Sequence, residues 1–103
     1  MFTHIGMLTL ADDATPEHRQ AISDGLTGLA GLIDGLVAVR VGIDLGLTEG
    51  NADVLFQLEF DSEDAWRSYG AHPAHKAVIA ESIAPVLKSK SFVQVAGFAE
   101  ARA

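Results

Sequence analysis

Eight residues, Ser68-Tyr69-Gly70-Ala71-His72-Pro73-Ala74-His75, hold two of the four histidines and the single tyrosine of this chain. An unperturbed imidazole gains and loses a proton near neutral pH, so it serves as a general base or acid. A phenol hydroxyl donates to a substrate oxygen and steadies the negative charge that grows there. Together these groups suit removal of an acidic proton beside a carbonyl, with the tyrosine holding the developing enolate. A further histidine, His4, sits in a segment that alternates like a strand and points the same way as Leu8.

Plainer roles fit the same residues. His75, three residues into a helix opened by Pro73, fits a buried ring satisfied by a backbone carbonyl. His72 precedes Pro73, so its backbone is expected to be extended and its side chain to organise the helix entry. Tyr69 follows Trp66 by about one helical turn, as core aromatics do. His18, in the first turn of the first helix, reads as solvated surface. His72 and His75 lack a third nearby ligand, and a catalytic zinc site uses three, so no metal site is expected. The chain has no Ser-His-Asp arrangement, no Walker loop and no dinucleotide fingerprint, so no cofactor is expected either. A hard cation held by oxygen ligands at a subunit edge stays open.

The elements that must position these residues follow from hydrophobic spacing. Phe2 to Leu10 alternates as a first strand, with Phe2, His4, Gly6, Leu8 and Leu10 on one face. Thr15-Pro16-Glu17 starts a helix through an N-cap hydroxyl, a proline at the first position and an acid in the first turn. Ile22, Leu26, Leu29 and Ile33 recur along it. Gly25, Gly28 and Gly31 weaken it and mark close packing on a neighbour. After the Asp34-Gly35 turn, Leu36 to Asp44 is a second strand with Val37, Val39, Val41 and Ile43 on one face. Ala52 to Phe60 is a third, with Val54, Phe56, Leu58 and Phe60 facing one way. A short helix carries Trp66 and Tyr69 to Gly70. Another helix runs from Pro73 to about Lys88, kinked or shortened at Pro85. Phe92 to Phe98 is the last strand.

Strand, helix, strand, strand, helix pair, strand is an α+β order: a split βαβ arrangement in which a four-stranded antiparallel sheet has helices on one face. Residues 1–103 make one domain. The other sheet face, carrying Ile5, Met7, Ala38, Arg40, Leu55, Gln57, Glu59 and Gln94 by parity, has no helix to cover it. A homodimer through that face is the expectation.

Composition narrows the partners. The formal net charge is −7 with 14 acidic against 7 basic residues, which disfavours nucleic acid and anionic membranes. No stretch approaches the ~20 apolar residues of a membrane span. There is no cysteine, which excludes disulfides and thiol chemistry. Met1-Phe2-Thr3-His4 lacks the basic start of a signal peptide, so a cytoplasmic location is expected.

His4, the Ala52–Phe60 strand with Asp61-Ser62-Glu63, and above all Tyr69-Gly70-Ala71-His72-Pro73-Ala74-His75 resemble the stress-responsive dimeric α/β-barrel (Dabb) family over roughly Phe2 to Phe98. The resemblance implies a ferredoxin-like subunit whose sheet pairs with its mate's to form a dimeric α/β barrel. A plant polyketide cyclase of that family performs a cofactor-free aldol closure, and its proposed catalytic positions match Tyr69 and His75, with His4 lining the pocket. By the same resemblance Ile22, Leu26, Phe56 and His72 belong to the substrate pocket. Ile22 and Leu26 stand where the cyclase has aromatics, so the substrate need not be shared. Asp34-Gly35 replaces a Pro-Gly common in the family, a change in a turn. Three functions stay open: a cofactor-free cyclase-like enzyme acting on a small apolar carbonyl or phenolic compound, a non-catalytic stress-response ligand-binding dimer, and a cofactor-free monooxygenase.

Overall fold

The computed structural model describes residues 1–103. β1 spans Phe2–Leu10, and its alternation places His4, Gly6, Leu8 and Leu10 inside while Met7 is exposed. α1 spans Pro16–Thr27. Thr15 caps it reciprocally with His18: the Thr15 hydroxyl accepts from the His18 N–H at 3.2 Å, and the exposed His18 ring accepts from the Thr15 N–H at 2.9 Å through Nδ1. The helix is shorter than the apolar spacing predicts. Gly28 closes it and Gly31 turns the chain back at φ +83°. Leu29 and Ile33 still enter the core, but from the turn rather than from the helix.

β2 spans Leu36–Ile43 and β3 spans Val54–Phe60. Their ladder shifts register between Leu36 and Ala38, so Leu36 takes the inner place opposite Phe60. Val37, expected on the inner face, is 55% exposed for that reason. Gly35, at φ +84°, has no room for a side chain, because a Cβ there would lie 2.9 Å from Asp61 Oδ1. The Gly35 carbonyl accepts from the Asp61 N–H at 2.9 Å and fixes the entry to α2, Glu63–Tyr69, which Ser62 caps.

Pro73 opens α3, which covers only Pro73–Val78. A π turn follows over Ile79–Ile83, with the Ala84 N–H donating to the Ile79 carbonyl, and then a 3-10 turn over Ala84–Val86. Pro85 explains the break: it has no N–H to give, and its ring crowds the carbonyl four residues back. The helix therefore stops before Lys88, and β4 runs Leu87–Val95 instead of Phe92–Phe98.

The sheet order is β2-β3-β1-β4, antiparallel throughout, with the helices on one face: a ferredoxin-like fold. β4 pairs His4 with Gln94 and Gly6 with Phe92. Gln94 thus faces the helices, not the open side that strand parity predicts. Leu8, Ile22, Leu26, Leu29, Val54, Leu58 and Phe60 are almost wholly buried between sheet and helices. Each such side chain contributes roughly 1.5–3 kcal/mol of transfer free energy. Asp53 ties three elements together by accepting from the Leu10 N–H at 2.7 Å and pairing with Arg19 at 3.1 Å. The far side of the sheet carries Ile5, Met7, Leu55, Val93 and Val95 with no covering element of this chain. No helix is long and apolar enough to cross a membrane.

Candidate functional site

A cavity of about 860 Å³ lies between the inner face of the sheet and the wall made by α2, α3 and the π turn. Its origin is local. Gly25 of α1 lets Val78 approach to 3.1 Å from where a Cβ would sit, so α3 packs on α1. The inner positions of β4 are Lys90, Phe92 and Gln94, which no helix covers. The space left over them is the cavity, and the π turn supplies Ile79, Ala80 and Ile83 to its apolar wall.

His4, Tyr69 and His75 all line it. The Tyr69 and His75 rings are 4.0 Å apart between centroids, tilted by 40°. His4 lies 6.3 Å from Tyr69 and within 5.1–5.9 Å of Phe92, Phe56 and Trp66. Gly6 makes this floor possible. A methyl group there would overlap the Phe56 ring and stand 2.8 Å from Phe92 Cδ1.

Each polar group has a defined state. Gln94 Nε2 donates to His4 Nδ1 at 2.9 Å, which leaves the His4 proton on Nε2. Burial, reinforced by the charge of His75, holds the His4 pKa at about 4, so the ring is neutral at pH 7. Burial pushes the Tyr69 hydroxyl well above its usual range, so it stays protonated. That hydroxyl has no hydrogen-bond partner in the protein, yet no buried polar atom is left unsatisfied; it opens onto the cavity. His75 Nδ1 faces the Gly70 carbonyl at 3.4 Å, a contact in which only the nitrogen can donate. Nε2 then carries the free lone pair. Burial lowers the His75 pKa; the Gly70 contact raises it, His72 lowers it further, and the net direction is down.

The remaining expected pocket residues separate. Leu26 and Phe56 line the cavity. Ile22 does not: it is fully buried in the core, one helical turn before Leu26. His72 does not either. Its Nδ1 accepts from the Ala74 N–H at 3.0 Å and caps α3, and the ring borders a separate depression with Asp34, Asp61 and Asp64. Lys90 joins the lining because β4 begins earlier than its sequence pattern suggests, and Phe92 and Gln94 join it because they pair opposite Gly6 and His4. Pairing parity against His4 and Gly6 is the signal that identifies them. No three His, Cys, Asp or Glu side chains cluster as metal ligands would.

Comparison with known proteins gives a consistent picture. Residues 2–95 match the model of the stress-responsive A/B barrel domain, Dabb. A dimeric ferredoxin-like protein of unknown function from Thermobifida fusca superposes with a TM-score of 0.80 at 35% identity, covering 91% of this chain and 88% of that one. Two more distant structures share the fold: a hydroxynitrile lyase from Passiflora edulis (TM-score 0.76, 13% identity, 91% and 90% covered) and SnoaB, a cofactor-independent oxygenase from Streptomyces nogalater (0.75, 11%, 96% and 94%). No curated protein matches. With the match spanning nearly the whole chain, this protein belongs to the stress-responsive A/B barrel (Dabb) family.

Proposed function

We propose that the protein is a cofactor-free acid–base catalyst of the cyclase or aldol type, working on a small apolar carbonyl or phenolic compound in the cavity of each subunit. The observation that carries this reading is the convergence of three complementary groups on one space. His75 is a neutral base with its free lone pair at Nε2. Tyr69 is a protonated hydroxyl with no partner in the protein. His4 presents a neutral Nε2–H.

A carbonyl oxygen accepting from Tyr69 and His4 acquires enolate character as His75 removes the α-proton. The electron pair of the C–H bond moves into the enolate, and the proton rests on His75. The enolate carbon then attacks a second carbonyl, or is reprotonated. Base catalysis of this kind contributes about 10²–10⁴-fold. Apolar walls strengthen each hydrogen bond by lowering the local dielectric. A lyase and a cofactor-independent oxygenase on the same fold support the breadth of chemistry such a barrel carries, although fold alone assigns no reaction.

We further propose a homodimer through the open sheet face. Met7, Leu55 and Val93 are 41–51% exposed at its centre, and the Thermobifida fusca relative is dimeric. Such a partner leaves the cavity, on the helix side, within one subunit.

Soaking crystals with small phenolic and β-dicarbonyl compounds tests the site. Density in the cavity with an oxygen within hydrogen-bond reach of Tyr69 and His4 supports the reading. Ligands found only elsewhere, or none at millimolar concentrations, contradict it.

A further inference from the structure

The cavity has a charge pattern at odds with the rest of the molecule. The chain carries 14 acidic and 7 basic residues. None of the acids lines the cavity, whereas Arg67, Lys76 and Lys90 do. Arg67 is already committed: it pairs with Glu63 at 2.6 Å and lies over the Trp66 ring at 5.6 Å. Lys76 and Lys90 have no carboxylate partner. They come from opposite walls, Lys76 from α3 and Lys90 from the inner face of β4, where its ammonium sits 5.4 Å from the Phe92 ring. Deeper in, His4 and Tyr69 present hydrogen-bond donors, and the remaining surface is predominantly apolar.

We infer that the ligand of this cavity is an amphipathic carboxylate: an apolar body seated against Phe56, Phe92 and Ile79, with its anionic group at the mouth between Lys76 and Lys90. The inference rests on the cavity reading above and narrows it to a substrate class. Two unpaired ammonium groups at the rim of an apolar space favour a ligand that brings its own negative charge. In a protein of net charge −7 they also give an approaching anion one attractive entrance. A neutral ketone fills the apolar part and leaves both lysines without a counterion.

The test compares 2-naphthoate with 2-acetonaphthone, which share an aromatic body and differ in charge, by calorimetric titration at low salt. Naphthoate is expected to bind about three- to tenfold more tightly, as partly exposed charge pairs allow. That margin should shrink at about 0.5 M NaCl, where such pairs are screened. The Lys76→Glu/Lys90→Glu double variant should reverse the preference, and Lys76→Gln/Lys90→Gln should abolish it, both with an unchanged circular-dichroism spectrum. Equal or tighter binding of acetonaphthone to the wild-type protein, or a naphthoate preference that survives in the Gln variant, overturns the inference and leaves the cavity reading intact. Binding of neither compound overturns both.

Discussion

The Tyr69 and His75 rings lie 4.0 Å apart with a 40° tilt, so α2 and α3 present the proposed acid and base side by side. Five residues lie between them, and the turn at Gly70–His72 joins the two helices. The contact between Tyr69 and His75 needs only the rings, whereas the chemistry needs the Tyr69 hydroxyl. Tyr69→Phe is therefore expected to keep the fold and ligand affinity within a few-fold while kcat falls by about 10²–10³, the usual cost of losing one donor to a developing oxyanion. Steady-state kinetics on a turned-over β-dicarbonyl compound gives the split. A loss confined to KM contradicts the assignment.

His4 predicts an acid-sensitive fold. Its folded-state pKa is about 4 while the unfolded chain titrates near 6.5. As pH falls below 6.5 the unfolded state takes up the proton first, so stability present above pH 6.5 drains away toward pH 4. The loss assigned to His4 is at most about 3 kcal/mol, and His75 adds in the same direction. Denaturant titrations from pH 7 to pH 4 should show the decline, reduced in His4→Gln. NMR should show the His4 ring titrating near pH 4; an ordinary midpoint near 6.5 contradicts the buried, Gln94-bonded ring.

Gly6 predicts a steric effect. Any side chain there meets Phe56 and Phe92, the rings beneath His4. Gly6→Ala should destabilise the fold by about 1–3 kcal/mol, as overpacking does, and weaken ligand binding with it. Thermal unfolding checks the first effect. A variant as stable as the wild type means the floor tolerates the extra methyl.

Much of this arrangement is legible in the sequence, for physical reasons. Period-two alternation is clean in Val54–Phe60 and holds over most of Phe2–Leu10, so the inner face of the two central strands, His4 included, follows from the pattern. The Thr15-Pro16 and Ser62 starts are local capping chemistry. The weak points are places where one residue shifts everything after it. A single extra residue at Val37 moves it off the inner face. Pro85 ends the helix early, so β4 begins at Leu87 and Lys90 joins the strand, while pairing of Gln94 opposite His4 sets the inner face. Spacing along α1 groups Ile22 with Leu26; both are buried, and the packed fold brings only Leu26 to the cavity wall.

The open sheet face predicts assembly. Leu55 pairs with Met7 at its centre. Leu55→Lys places an unpaired charge in the proposed interface and should convert a dimer into a monomer by light scattering at micromolar concentration, with the cavity unchanged. A wild-type monomer under those conditions contradicts the proposed dimer.

His75 as the proton acceptor is tested most directly by deuterium exchange. NMR follows incorporation of solvent deuterium at the carbon beside the carbonyl of 2-acetonaphthone in D₂O. The wild-type protein should accelerate exchange over buffer, and His75→Ala, folded by circular dichroism, should lower the enzyme-catalysed rate by about 10²–10⁴-fold. A His75→Ala protein that exchanges the proton as fast as the wild type, or a wild type no faster than buffer, contradicts the assignment.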